Sequence, residues 1–147
     1  MSRAPFLPML RELARCFQSF EACSAAQIRE FGLTPAQFDI LATLGDTPGM
    51  APKELGEKTL ITKGTLTGVV DRMAAKGLVR RSPSPQDGRS QIVRLTRRGE
   101  TLFDKAFPAH LAHLGRALAS LTAEDLSRIE TAMRTLRMAL DAVGAKR

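Results

Sequence analysis

The chain has no tryptophan, no tyrosine and only two cysteines among its 147 residues. Two cysteines are no disulfide framework, and a domain of this length needs none, because it buries roughly 68–70% of its unfolded surface. No apolar run approaches the ~18 residues of a membrane span, and the stretch MSRAPFLPML is too weakly apolar for a signal peptide. We expect a single domain over residues 1–147, located in the cytoplasm and without a membrane partner.

Patterns typical of enzymes and metal sites are also missing. The two histidines, His110 and His113, lie three residues apart on one predicted helix, whereas a zinc site needs three or four ligands. The sequence contains no glycine-rich phosphate loop and no nucleophile elbow. We therefore predict that the protein is not an enzyme, holds no metal and needs no cofactor, and that both histidines lie at a helix interface.

Positive charge is concentrated in one segment. The chain carries a net charge of +7, and the segment from Arg72 to Arg98 has eight basic residues against one acid, Asp87. The rest of the chain is electrically balanced. A block of one sign is typical of a protein with a polyanionic partner. The alternative is a basic surface that only maintains solubility.

Two terminal segments carry narrow apolar stripes at helical spacing. Residues 5–30 place Leu10, Leu13, Phe17 and Phe20 at intervals of three and four. The stripe near the C-terminus has the same heptad spacing, with Leu126, Ile129, Met133, Leu136, Leu140 and Val143. Such a seam is typical of helices that pack against one another. We expect these helices, 5–30 and 98–143, to pair with a second copy, although an antiparallel pair within one chain is the alternative.

The middle of the chain, about 34–97, predicts a winged helix-turn-helix lobe. Thr34, Pro35 and Gln37 form a capping box that begins one helix, and a short helix from Pro52 follows. The next helix begins near Thr62, a candidate N-cap, and ends at Gly77. Its apolar face comprises Leu66, Val69, Val70 and Met73. The runs LVRRS and SQIVRL predict a hairpin, so the fold class is mainly α with a small β-hairpin.

In this arrangement the helix over about 62–76 enters the major groove of DNA. Its outward face carries Gly64 and Gly68, and each glycine costs about 1 kcal/mol relative to alanine within a helix. That cost is explained if a partner must approach the backbone closely. The alternative is that the two glycines relieve packing against another helix.

The hairpin should lie beside the neighbouring minor groove. Arg89, near the tip, suits a narrow A·T-rich groove with strong negative potential. Asp87 is unexpected beside DNA, and we interpret it as a bidentate partner of the guanidinium of Arg89 or Arg72. The remaining arginines of the hairpin are expected to contact phosphates: Arg80, Arg81, Arg94 and Arg97.

Residues 61–81 together with DGRSQIVRLT (87–96) resemble the MarR family of bacterial transcriptional regulators, whose wing signature is D-x-R-S-x-x-V-x-L-T. The resemblance implies a homodimer, joined through its terminal helices, that binds a pseudo-palindromic operator in double-stranded DNA, usually as a repressor. The candidate DNA contacts are Thr62, Lys63, Gly64, Thr65, Thr67, Gly68, Arg72, Arg80, Arg81, Asp87, Arg89 and Arg94.

Members of this family are commonly released from DNA by a small aromatic ligand, by thiol oxidation or by a metal. For a small-molecule effector, the candidate binding residues are Arg15, Phe17 and Phe38. A thiol-based redox regulator using Cys16 or Cys23 is an alternative, but the tyrosines that support the reactive cysteine of peroxide-sensing members are absent. A helical protein-interaction module without DNA binding is another alternative, and it leaves the basic segment unexplained.

Overall fold

The computed structural model describes residues 4–144, which form six helices and one antiparallel hairpin. The elements are α1 (Leu7–Arg29), α2 (Pro35–Leu44), α3 (Pro52–Lys58), α4 (Lys63–Ala75), β1 (Val79–Pro83), β2 (Gln91–Leu95), α5 (Arg97–Ala117) and α6 (Ala123–Gly144). The mainly α fold with a small hairpin is confirmed. The chain divides into two compact units, Met1–Leu114 and Gly115–Arg147.

Helix α2 begins where the sequence predicts. The Thr34 hydroxyl accepts the N–H of Gln37 at 3.2 Å, and the Gln37 side chain accepts the N–H of Thr34 at 3.1 Å. Pro35 occupies the first helical position, where a missing N–H has no cost. This reciprocal capping box fixes the direction in which the chain enters the lobe.

A single apolar core joins α2, α3, α4 and the hairpin within the first unit. Leu41, Leu55 and Met73 are fully buried, one from each helix, and Val93 from β2 is 1% exposed. The predicted apolar face of α4 is buried: Leu66, Val69, Val70 and Met73. In α2, Phe38, Leu41 and Leu44 are buried as well. This core holds the outward face of α4 in a fixed direction.

The hairpin is attached to the lobe at two points. Gly77 ends α4 with a φ of +75°, a conformation that favours glycine, and its carbonyl accepts the Thr96 hydroxyl at 2.6 Å. Gly49, also at positive φ, lies so close to the carbonyl oxygen of Val93 that a Cβ would stand 2.7 Å from it. The neighbouring Met50 pairs with Val93 across a β-bridge. The hairpin is therefore fastened to both the turn after α2 and the end of α4.

The terminal helices leave their apolar stripes in solvent. In α1, Leu10, Leu13, Phe17 and Phe20 are 39–46% exposed. In α6, no described side chain is buried. Thr122 caps the beginning of α6, since its hydroxyl accepts the N–H of Asp125 at 3.0 Å. No helix within residues 4–144 combines the length and the apolar character needed to cross a membrane.

Candidate nucleic-acid interface

The outward face of α4 presents open backbone. A Cβ on Gly64 would meet nothing within 4 Å beyond the helix's own backbone, and a Cβ on Gly68 would meet only the guanidinium of Arg72, at 3.4 Å. Neither glycine packs against another helix, so the packing alternative is wrong for both. The exposed neighbours on this face are Lys63, Thr65, Thr67 and Arg72.

The beginning of α4 differs from the sequence prediction. Thr62 occupies the N-cap position, but its hydroxyl does not cap the helix. It lies instead 2.9 Å from the hydroxyl of Thr65. No side-chain oxygen caps the first turn, so the positive end of the helix dipole has no capping acceptor there. Such an uncapped terminus suits an anion such as a DNA phosphate.

The tip of the hairpin also differs from the prediction. The Asp87 carboxylate accepts the backbone N–H of Arg89 and the hydroxyl of Ser90, both at 3.0 Å. The predicted bidentate bond from Asp87 to the guanidinium of Arg89 or Arg72 is not formed in the structure, where the carboxylate bonds within the turn instead. Asp87 therefore shapes the backbone that carries Arg89, and the Arg89 side chain is exposed at the tip.

Two arginines face each other across the hairpin. Arg80 on β1 is the direct partner of Arg94 on β2, and both line a cleft of about 590 Å³ together with Arg97. Like charges directly opposite one another destabilise a strand pair by roughly 0.2–1 kcal/mol. The cost is offset when a polyanion lies against this face of the hairpin.

Arg81 has a different role from its neighbours. It pairs with Val93 in the hairpin register, and its guanidinium lies 2.8 Å from the carboxylate of Asp71 on α4. This ion pair joins the hairpin to the outward face of the helix. This contact could not be predicted from the sequence, because it depends on how β1 is oriented against α4.

A cavity of about 600 Å³ lies within the first unit and includes two of the three candidate ligand residues. Phe17 and Phe38 line it, whereas Arg15 does not. The Arg15 side chain is 75% exposed and lies 3.7 Å from Glu12 on the same helix. The residues that sequence analysis missed include Phe107 and His110 of α5 and Asp39 of α2.

The two histidines occupy the region between α1 and α5. His110 is buried where α5 meets α1 and α2. Its Nδ1 lies 2.8 Å from Gln27 Oε1 of α1, and its ring is tilted against Phe38 of α2 at 4.6 Å between centroids. Burial lowers the pKa of His110, and the nearby His113 lowers it further. Within residues 4–144, no group of three or more His, Cys, Asp or Glu side chains is placed to hold a metal ion.

The candidate redox cysteines are separated along α1. Cys16 is exposed, and Cys23 is half-buried with its Sγ 3.6 Å from Nε2 of His113. The same Nε2 lies 2.8 Å from the carbonyl oxygen of Cys23, which can only accept a hydrogen bond. Nε2 therefore carries a proton and cannot remove one from the thiol. A seven-residue separation in one helix spans about 10.5 Å, too far for a disulfide.

Comparison with known proteins decides the family. The sequence profile of the MarR family matches residues 31–90. The HTH-type transcriptional regulator MhqR of Bacillus subtilis is 30% identical over 114 residues, which cover 78% of this chain and 79% of MhqR. The chain belongs to the MarR family. Its members are transcriptional regulators with a DNA-binding winged helix, and the lobe that contains α4 and the hairpin is the winged helix of this chain.

Solved structures of MarR-type regulators share this fold over nearly the whole chain. AbsC, a MarR family transcriptional regulator from Streptomyces coelicolor, superposes with a TM-score of 0.81 at 26% identity, covering 91% of this chain and 93% of AbsC. BpsR from Bordetella bronchiseptica, a protein whose DNA binding is regulated by 6-hydroxynicotinic acid, has a TM-score of 0.80 at 25% identity, covering 93% of this chain and 98% of BpsR.

Proposed function

We propose that the protein is a homodimeric transcriptional repressor that binds a pseudo-palindromic operator. Helix α4, with the preceding Thr62, would lie in the major groove, and Arg89 would enter the adjacent minor groove. The observation that carries this proposal is the open face of α4, where a Cβ on Gly64 would meet nothing within 4 Å beyond the helix's own backbone and where the first turn has no side-chain cap. An exposed glycine in a helix is unfavourable by itself, and a close approach by DNA explains it.

The charge of the hairpin supports the same proposal. Arg80 and Arg94 repel each other in the free protein, and phosphates would remove that repulsion. Arg81 would act mainly by positioning the wing, because its guanidinium already binds Asp71.

The exposed stripes of α1 and α6 support a homodimer. Each helix presents a row of apolar side chains to solvent, for example Phe17 in α1 and Leu140 in α6, which are 44% and 59% exposed. Contiguous apolar surface of this kind typically marks an interaction site, and heptad spacing favours a helical partner. A second copy carries the same two apolar stripes, so the stripes of the two copies would pack against each other.

Control by a small aromatic ligand is the form of regulation that we propose. The cavity lined by Phe17 and Phe38 is within the size range of small-molecule sites, and BpsR offers a precedent for a small effector. Thiol control through Cys16 or Cys23 has less support, because a separation of seven residues in one helix is too long for a disulfide between them.

The test is the binding of DNA from upstream of the gene, measured by fluorescence anisotropy. Gly64→Leu should fold normally, since its side chain meets open space, but it should lose most of its affinity because the added side chain blocks the groove. Ser127→Leu, on an exposed position of α6, is the matched control and should bind like wild type. Wild-type affinity in Gly64→Leu would refute this placement of α4.

A further inference from the structure

A second concave site, the α4–α5 groove, lies at the end of α4, where that helix meets the start of α5 and the turn between α1 and α2. Its volume is about 700 Å³. Its floor is apolar, since Leu33 and Leu78 are buried and Phe31 and Leu102 are half-buried. Within residues 4–144, the groove shares no lining residue with the cavity of Phe17 and Phe38.

The charged side chains that line the groove are all basic among the residues that the structure describes: Lys76, Arg98 and Lys105. Helix α5 separates its charges by face. Arg98 and Lys105 line the groove about two turns apart, whereas Glu100 and Asp104 line a different cleft. None of the three cations forms an ion pair within residues 4–144. The groove therefore combines an apolar floor with positive charge that no acid balances.

Two of the cations are positioned at the end of α4. The ammonium of Lys76 donates to the carbonyl oxygen of Gly32 at 2.9 Å and to Oε1 of Gln37 at 3.0 Å. Both acceptors are neutral, so they orient the ammonium without cancelling its charge. A lysine ammonium has three N–H donors, and these bonds leave one of them for a ligand. The Arg98 side chain lies beside Gly77, where a Cβ would stand 3.7 Å from its guanidinium.

We propose that the α4–α5 groove binds an organic phosphate monoester with an apolar carbon chain. Such an ester carries a charge of about −1.5 to −2 at pH 7 and three strong acceptor oxygens, which suit a site with three cations. The carbon chain lies on the apolar floor and removes it from water. A carboxylate has a single charge and two oxygens, so it gains less from the same cations.

The groove is separate from the proposed contacts with DNA bases. Helix α4 has 13 residues, so its two ends lie about 18 Å apart. In helix-turn-helix proteins the N-terminal residues of the recognition helix contact the base edges, whereas Lys76 follows the last residue of α4. The groove is therefore a further binding site, and the inference does not rest on the proposed function.

Isothermal titration calorimetry on the full chain at pH 8 tests the ligand class with hexyl phosphate, ethyl phosphate and hexanoate. Both esters are then dianions, because the second pKa of a phosphate monoester is about 6. We expect hexyl phosphate to bind at least ~10-fold more tightly than ethyl phosphate, a ratio that the burial of about two methylene groups supplies. It should also bind at least about fivefold more tightly than hexanoate, the effect of one further charge about 4 Å from a cation in water.

These three ligands also define the results that would overturn the proposal. If ethyl phosphate bound as tightly as hexyl phosphate, the apolar floor would have no role. If hexanoate bound as tightly as hexyl phosphate, the groove would not select a phosphate. If hexyl phosphate did not bind, the groove would not be a ligand site.

Arg98→Gln and Lys105→Gln locate the bound phosphate. Both side chains are exposed, so the variants should fold, and each should weaken hexyl phosphate binding by at least about fivefold through the loss of one cation. Arg116→Gln, which changes an exposed arginine of α5 outside the groove, is the matched control and should bind like wild type. Wild-type affinity in either groove variant would show that the phosphate is not bound between these cations.

Upstream DNA distinguishes a separate site from a part of the DNA-binding surface. Hexyl phosphate should keep its affinity when the protein is saturated with this DNA. Displacement of hexyl phosphate by DNA would assign the three cations to the DNA-binding surface and overturn the separate site. Failure of the protein to bind DNA at all would refute the proposed function and leave the calorimetric result standing.

Discussion

The carboxylate of Asp87 accepts a hydrogen bond from the backbone N–H of Arg89 at 3.0 Å, and this bond sets the conformation of the wing tip. The two residues are linked through the main chain of Arg89, whose side chain is exposed. Simple electrostatics would make an acid beside DNA unfavourable. In this hairpin the acid is a structural part of the turn that presents the arginine.

The first prediction concerns this turn. Asp87→Asn should retain most of the operator affinity, because an amide oxygen can still accept the N–H of Arg89. Asp87→Ala should weaken binding, by about 1 kcal/mol, the typical net value of one hydrogen bond, although it removes a negative charge. Fluorescence anisotropy on the operator measures both. Tighter binding by Asp87→Ala than by wild type would show that charge, and not turn geometry, governs this position.

Arg89 itself provides the second prediction. Lysine lacks the planar fork of arginine, so Arg89→Lys should lose roughly 1–3 kcal/mol on the operator and less on random DNA. Arg128→Lys, which replaces an exposed arginine of α6, is the matched control and should bind normally in competition assays. If Arg89→Lys bound the operator with the affinity of wild type, Arg89 would contact only phosphate.

The third prediction tests the homodimer. Leu140 is 59% exposed, so Leu140→Glu leaves the isolated chain folded but places a charge in the proposed seam. An unpaired charge buried at an interface costs several kcal/mol, and the variant should sediment as a monomer at micromolar concentration. Ser127→Glu, on the opposite face of α6, should remain a dimer. A dimeric Leu140→Glu variant would locate the interface elsewhere.

The fourth prediction follows from the buried imidazole. The pKa of His110 is lower in the folded protein than its ordinary value of 6.5, so the unfolded chain binds a proton first as the pH falls. Stability should therefore decrease as the pH drops below about 6.5. His110→Gln removes this group, and its melting temperature should change less between pH 7.5 and 5.5. If the melting temperatures of wild type and His110→Gln changed equally with pH, a lowered pKa of His110 in the folded protein would be contradicted.

The sequence predicted those features that depend on neighbours along the chain. The capping box of Thr34 and Gln37 and the buried face of α4 follow from local spacing, and both are confirmed. The tip of the wing was harder to predict, because Asp87 could pair with a guanidinium or with the backbone, and only the turn geometry favours the backbone.

Contacts between distant segments could not be predicted from pattern alone. The pairing of Arg81 with Asp71 depends on the orientation of β1 against α4. The bond between Asp39 and Leu60 joins residues 21 positions apart, and nothing in the local sequence marks either as a partner. Of the residues that line the cavity, only Phe17 and Phe38 were predicted as ligand-binding residues. Its polar side chains lie at helix positions that no sequence pattern distinguishes from other helix positions.

The salt dependence of operator binding tests the central claim most directly. If about four of the eight basic residues between Arg72 and Arg98 in each subunit contact phosphates, a dimer neutralises about eight charges, and the slope of log affinity against log salt should be near −7. A slope shallower than about −3 would show that this segment is not the surface that binds DNA.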